Sequence, residues 1–265
     1  WPLLFHSFVI NRADRNVTWV HCDLLNNPTS GCFNSLNQEK KCYESVDCIT
    51  FVSNTAKENF DKLYRVDIPK ECLYNVVDAK VIKEKAAKNI ISRNVFTITS
   101  VGSLYKVKGY DRLLRVAKMF KDNGYSLSFQ ILGSGQELDN LLALRNELDL
   151  DEEVLFLGFE ENPYPYLKQS DIFISTSLSE GLPYVICEAF VLGIPVVATE
   201  TAGAIELLDN GKYGILTEQN ELAIYEGLKR LIDNEELREE YRLKSLIRAE
   251  IFDIDEIMKS VYKLI

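Results

Sequence analysis

Two acidic side chains are the first candidates for chemistry: Glu180 and Glu188, with seven residues between them in Ser179-Glu180-Gly181-Leu182-Pro183-Tyr184-Val185-Ile186-Cys187-Glu188-Ala189. The segment follows an apolar, strand-like run and opens a helix. Pro183 suits the first helical position, where its missing N–H would be unpaired anyway, and Gly193 followed by Pro195 ends the helix. The amides of Leu182, Tyr184 and Val185 then project from a positive helix end at the carboxyl edge of a parallel sheet, a place for an anion. Glu180 falls in the loop before the helix. Glu188 falls within the otherwise apolar run from Tyr184 to Val197, where an ionised carboxylate needs hydrogen-bond donors; ligand hydroxyls would supply them. A plainer reading makes Glu180 a partner of the helix dipole and Glu188 a structurally satisfied carboxylate. Two acids flanking one anion-binding helix start favour a nucleotide-sugar site.

Other chemistry-bearing residues carry weaker signals. Gly133-Ser134-Gly135 begins a dinucleotide fingerprint, but Leu138 stands where the third glycine is needed, so nothing firm points to NAD. Cys22, Cys32, Cys42, Cys48, Cys72 and Cys187 never approach a CxxC spacing and are read as reduced thiols. A zinc cluster among the first five is the sharper alternative, against which stands the habit of zinc sites to take two ligands from one short knuckle.

The elements that must hold these residues alternate between short apolar runs and amphipathic stretches, the pattern of βα units and a parallel sheet. Strands are expected at Val17 to His21, Cys48 to Val52, Val95 to Val101, Leu127 to Leu132, Val154 to Phe159, Asp171 to Ser177 and Pro195 to Thr199. Thr55 and Glu58 read as a capping box before Phe60 and Leu63. Leu113, Val116, Ala117 and Phe120 form one face of a helix that stops near Gly124. A boundary is expected across the Lys-rich stretch 79–94, leaving residues 1–78 as a partial N-terminal domain with too few strands for a whole doubly wound sheet. Residues 95–250 read as a complete domain, and 251–265 as a C-terminal helix packing back on the N-terminal part. The chain reads as a fragment, with Trp1 to Ile10 expected to be exposed beside an unpaired strand edge that favours self-association.

The chain's 265 residues, 46% hydrophobic and 26% charged, describe an ordinary globular protein. Its net charge of −10 is concentrated after residue 94, where 17 Lys and Arg face 29 Asp and Glu. Nucleic acid is excluded as a general partner, since neutralising phosphates needs a basic surface. No run of about 18 apolar residues offers a membrane span.

The order of motifs resembles the C-terminal nucleotide-binding domain of retaining GT-B glycosyltransferases of family 4. The resemblance rests on Glu180 and Glu188 with Gly193-Ile194-Pro195-Val196-Val197-Ala198, on Val101-Gly102-Ser103-Leu104 through Lys108-Gly109, and on Leu132-Gly133-Ser134-Gly135. Gly158-Phe159 with Asn162-Pro163-Tyr164, and Gly203 to Gly214, extend it over nearly all of residues 75–240. Residues 1–78 match more loosely, through Trp19-Val20-His21-Cys22-Asp23, Phe51-Val52-Ser53 and Tyr74-Asn75-Val76-Val77-Asp78. The resemblance implies an α/β, GT-B fold: a Rossmann-like parallel-sheet domain complete at the C-terminal side and a truncated N-terminal one. It implies transfer of a sugar from a nucleotide-diphosphate donor, most readily a UDP-sugar, to a glycan or lipid-linked acceptor in surface polysaccharide synthesis, with no metal and no cofactor.

It also implies roles. Glu188 would accept the ribose hydroxyls, and Glu180 with the backbone of Gly181, Leu182, Tyr184 and Val185 would hold the sugar and diphosphate. Lys108 would neutralise the leaving diphosphate, Phe159 would lie where main-chain atoms meet the base, and His21 would reach the donor sugar. Where much of the family has an arginine to share the task of Lys108, this chain has Ser103, leaving Lys106 or Arg112 as substitutes. A cytoplasmic protein, peripheral on the inner face of the membrane, is expected. The alternatives are a GT-B nucleotide-sugar epimerase and a non-catalytic nucleotide-sugar binding module.

Overall fold

The computed structural model describes residues 15–21, 24–25, 33–88, 95–252 and 254–264. The apolar runs become nine strands among these residues: β1 (Val17–Val20), β2 (Cys48–Phe51), β3 (Lys70–Cys72), β4 (Phe96–Val101), β5 (Leu127–Leu132), β6 (Val154–Gly158), β7 (Ile172–Ser175), β8 (Val196–Thr199) and β9 (Ile215–Thr217). β1, β2 and β3 form a parallel three-stranded sheet, and the other six form a parallel sheet in the order β6-β5-β4-β7-β8-β9. That is the doubly wound order, and it reverses between β4 and β7, where a crevice must open beyond the strands' carboxyl ends. Every residue of β7 and β8 is buried, as strands covered by helices on both faces require.

One face of the six-stranded sheet packs under α4 (Tyr110–Asp122), α5 (Leu138–Glu147) and α9 (Glu221–Ile232), through Leu113, Phe120, Phe129, Leu141, Ile174 and Leu228. The other packs under α6 (Tyr164–Lys168), α7 (Tyr184–Val191) and α8 (Ala202–Leu207), through Leu167, Phe173, Ile186, Phe190, Val196 and Leu207. The smaller sheet has its own core around Phe51 and Phe60, between α1 (Leu36–Tyr43) and α2 (Asn54–Leu63). The rings of Tyr43 and Phe60 meet edge-on at 4.8 Å there.

Several elements depart from the expectations. β3 and β9 are three-residue strands, too short and, in Lys70-Glu71-Cys72, too polar to announce themselves. The cap of α2 is Ser53, whose Oγ accepts from the Ala56 amide at 3.1 Å, and Thr55 lies inside the helix. Ser53 takes the cap because it is the last extended residue of the β2–α2 turn. Residues 79–86, expected as the start of a linker, form α3 (Ala79–Ala86), and its Ile82 is buried in the core of the larger sheet's α7 face. At the chain's end α10 (Glu235–Ala249) turns through Glu250–Phe252 into α11 (Ile254–Leu264). Phe252 packs edge-on against Tyr74 at 5.7 Å, and its carbonyl accepts from the Val77 amide. The expected exposed edge at Trp1 to Ile10, and Cys22 and Cys32, lie outside the described residues.

Candidate functional site

β7 delivers the chain to the switch point, and a ladder of hydroxyls fixes the loop beyond it. Thr199 Oγ1 donates to the Ser177 carbonyl at 2.5 Å, Thr176 Oγ1 to the Lys108 carbonyl at 3.0 Å, and the Leu178 amide to the Val107 carbonyl at 2.7 Å. The loop after β7 is thereby tied to the short 3-10 turn Lys106–Lys108 that follows β4. Lys108 Nζ lies 2.5 Å from Glu180 Oε1, which also accepts from Ser177 Oγ at 2.8 Å. A cation and a carboxylate 72 residues apart thus meet where the strand order reverses.

Pro183 is extended (ψ 105°) and caps α7 from outside rather than occupying its first helical position. Its carbonyl accepts from Ile186, so the first-turn amides of Tyr184 and Val185 lie in the turn where intrahelical acceptors do not reach. Leu182 sits in the loop before Pro183, with its side chain buried in the core beneath. Its amide is therefore a loop group and not part of the helix end.

A cleft of about 410 Å³ opens at the carboxyl ends of β4, β5 and β6, lined by residues 101–103, Tyr105, 132–134, Phe159, Glu160 and Pro163. Its floor is stitched by the Gly102 amide to Leu132, the Leu104 amide to Ser134 and the Gly133 amide to Gly158. Gly133 has φ +144°, and a Cβ there would fall 1.9 Å from the Gly102 carbonyl oxygen. Gly133→Ala is therefore expected to cost roughly 3 kcal/mol, from strain plus separation of two backbones. Chemical denaturation would show a lower midpoint at unchanged slope; a loss under about 1 kcal/mol would mean that the two loops slide apart freely.

Glu188 lies on α7 and is held by Tyr164, whose hydroxyl donates to Oε1 at 3.0 Å. Burial raises the Glu188 carboxyl above its ordinary value, and the tyrosine bond partly opposes this. Burial and the same contact push Tyr164 up to about 12. The folded state thus holds the Glu188 proton more tightly than the unfolded chain does, so this residue's contribution to stability is most favourable at acid pH. It is lost as pH rises from the ordinary glutamate value through the raised one. Glu188→Gln is accordingly expected to match the parent in thermal stability at low pH and to exceed it near neutrality. Thermal melts across that window check the sign, and a variant less stable at pH 7 would contradict it.

Of the other residues singled out by the sequence, Ser103 is exposed on the rim of the cleft, and Phe159 is 76% exposed at its mouth, beside Gly158. His21 is exposed directly after β1 and, because Val20 pairs with Phe51, stands level with Val52 at the carboxyl edge of the smaller sheet. Ser53, one residue on, donates to the Gly181 carbonyl at 3.3 Å, so this edge faces the Glu180 loop. Arg112 is no substitute for the missing arginine: it is buried, and its guanidinium donates to the carbonyls of Thr176 and Gln219. Lys106 is exposed. Tyr164, Ser177 and Ser53 are site residues for which the sequence offers no role. The run Ser175-Thr176-Ser177 at the end of a buried strand is a signal for Ser177, and Tyr164 and Ser53 fall in motifs of the resemblance that carried no role for them. Among the described residues no three His, Cys, Asp or Glu side chains group as metal ligands, and no helix is long and apolar enough to cross a membrane.

Residues 81–245 match the family model described as glycosyl transferases group 1. The chain is 38% identical over 199 residues to the Campylobacter jejuni N-acetylgalactosamine-N,N'-diacetylbacillosaminyl-diphospho-undecaprenol 4-alpha-N-acetylgalactosaminyltransferase, covering 74% of this chain and 53% of that protein. It is 34% identical over 298 aligned positions to an uncharacterised glycosyltransferase of Methanocaldococcus jannaschii, covering 97% of this chain and 73% of the relative. The chain thus spans about half to three quarters of the length of these relatives. The crystal structure of Anabaena HepE in complex with UDP and glucose superposes with a TM-score of 0.81 at 21% identity, over 93% of this chain and 70% of that one. A doubly wound sheet facing a second parallel sheet is the GT-B arrangement expected from the motifs, and with a family match across more than half its length the chain belongs to the glycosyl transferases group 1 family.

Proposed function

We propose that the protein is a retaining glycosyltransferase that moves a sugar from a UDP-sugar to a glycan or lipid-linked acceptor in surface polysaccharide synthesis. The observation that carries the reading is the meeting of Lys108 and Glu180 at the switch point, in the loop that leads into α7, on which Glu188 lies four residues after Tyr184. In this reading the diphosphate lies against the Tyr184 and Val185 amides with Lys108, and the ribose hydroxyls donate to Glu188. Glu180 and the Gly181 backbone hold the transferred sugar. The acceptor attacks from the face that the diphosphate leaves, with His21 across the cleft. Cationic and amide groups aimed at the departing diphosphate would supply the largest part of the rate enhancement. No metal is called for, since Lys108 and the amides occupy its place.

The base choice is supported by UDP in the Anabaena complex, and the lipid-linked acceptor by the diphospho-undecaprenol in the name of the Campylobacter relative. An acceptor carried on such a lipid would draw the protein to the cytoplasmic face of a membrane without a spanning helix. The test is to incubate the full-length protein with labelled UDP-sugar and an undecaprenol diphosphate-linked sugar, and to read the new anomeric centre by NMR. Inversion at that centre would refute the retaining assignment. Release of free sugar and UDP with no acceptor product would favour the epimerase class, and donor binding without either product a non-catalytic module. Ser103→Arg is expected to tighten UDP about tenfold by calorimetry, as one added charge-assisted contact would; no change would mean that the rim position does not reach the diphosphate.

A further inference from the structure

The Glu206 carboxylate, on α8, reaches across to the smaller sheet's side of the molecule for its hydrogen-bond donors. Asn54 Nδ2 donates to Oε1 at 2.8 Å, the Tyr74 hydroxyl donates to the same oxygen at 2.6 Å, and Thr55 Oγ1 donates to Oε2 at 3.4 Å. The donors come from the first turn of α2, directly after β2, and from the segment after β3. Burial and this carboxylate hold the Tyr74 phenol firmly protonated, well above its ordinary value, so it remains a donor. A carboxylate served by neutral donors makes charge-assisted bonds, stronger than neutral ones and demanding in geometry.

The other end of α8 meets the Glu180 loop. The Gly203 amide donates to the Glu180 carbonyl at 3.0 Å, and a Cβ at residue 203 would fall 2.6 Å from both the Gly181 carbonyl oxygen and Pro183 Cδ. Ser53, on the same β2–α2 turn as Asn54 and Thr55, donates to the Gly181 carbonyl. The loop carrying Glu180 is thus gripped twice by one turn of the smaller sheet, directly through Ser53 and indirectly through Glu206 and α8. Arg248 steadies α8 from behind by donating to the carbonyls of Glu206 and Leu207.

We infer that Glu206 is a positioning residue: it latches the β2–α2 turn to α8 and so sets where Glu180 stands relative to the opposite sheet edge that bears His21. The consequence for catalysis rests on the function proposed above, whereas the latch itself does not. The Glu206 carboxylate bonds to Asn54, Thr55 and Tyr74 and not to Lys108 or Glu188, so nucleotide binding should feel its loss far less than turnover does. In the full-length protein, Glu206→Ala is expected to lower kcat about 30-fold while the Kd for UDP changes less than twofold. Glu206→Gln, which keeps an oxygen acceptor for Tyr74, should recover most of the loss. Hydrogen exchange provides the arm that needs no activity: in Glu206→Ala the amides of Ala56 and Gly203 should exchange at least tenfold faster, with those of β4 and β5 unchanged. Unaltered exchange at Ala56 and Gly203 would overturn the latch. Faster exchange there with unaltered kcat, or a UDP Kd rising in step with the kcat loss, would overturn the positioning role. If the parent protein transfers no sugar, the proposed function fails while the exchange arm still decides the latch.

Discussion

Replacing Lys108 with alanine is expected to lower the turnover of the full-length protein by about 100- to 1000-fold, the scale seen when one preorganised donor to a developing charge is removed. The donor Michaelis constant should move much less. Negative charge on the bridging oxygen grows as the glycosidic bond breaks, so the ammonium group interacts more strongly with the transition state than with bound donor. In the structure Lys108 is held by its pairing with Glu180 at 2.5 Å, and by Thr176 and Leu178 bonding to the backbone of its turn. Both side chains are partly shielded, with 22% and 16% of their surfaces exposed, so water weakens the interaction only in part. Steady-state kinetics separate the outcomes. A raised Michaelis constant with unchanged turnover would make Lys108 a ground-state anchor. Because Glu180 keeps its Ser177 bond when Lys108 is gone, the loop should remain folded, and an unchanged melting temperature would exclude global unfolding as the cause.

Glu188→Ala is expected to weaken UDP binding by about 1.5 to 3 kcal/mol, roughly 10- to 150-fold, because in the proposed reading it removes charge-assisted acceptors for the ribose hydroxyls. Inorganic pyrophosphate, which has no ribose, should bind the variant as well as it binds the parent. Isothermal calorimetry with both ligands decides, and equal losses would end the ribose assignment. The raised carboxyl adds a pH signature. Ligand hydroxyls favour the ionised form, so UDP must displace a proton wherever Glu188 is protonated. Affinity should therefore fall as pH drops through the raised value and be flat above it. Glu188→Gln should lose that dependence. Tyr164 contributes by occupying Oε1 and orienting the group, which leaves Oε2 for other partners.

The spacing of residues carried a good deal of this. Buried parallel strands announce themselves as apolar runs because helices cover both faces, and β4, β5, β7 and β8 lie within a residue or two of where those runs end. The stop of α4 near Gly124 follows from backbone rules acting over a few residues, as does the end of α7 before Gly193. Glu180 and Glu188 sit where their distance along the chain placed them, one before α7 and one on it. Departures at this scale are also short-range in cause. Pro183 stands one position outside its helix because its ψ of 105° keeps it extended, and Thr55 loses the α2 cap to Ser53 because the turn ends two residues sooner.

What the spacing left open was partnership across the fold. Lys108 meets Glu180 from 72 positions away, Tyr164 meets Glu188 from 24, and Glu206 meets Asn54 from 152. Arg112 and Lys106 are equal candidates for a lost arginine until the fold buries one beneath the carbonyls of Thr176 and Gln219 and leaves the other exposed. The physical reason is one of range. Helix caps, strand alternation and turns are decided by contacts within a few residues, which a sequence lists in order. A carboxylate's donors are decided by which loops the strand order carries to the same sheet edge, and by which side chains then remain uncommitted. For this protein the residue types of the site were written along the chain, and the order β6-β5-β4-β7-β8-β9 decided which of them face one another.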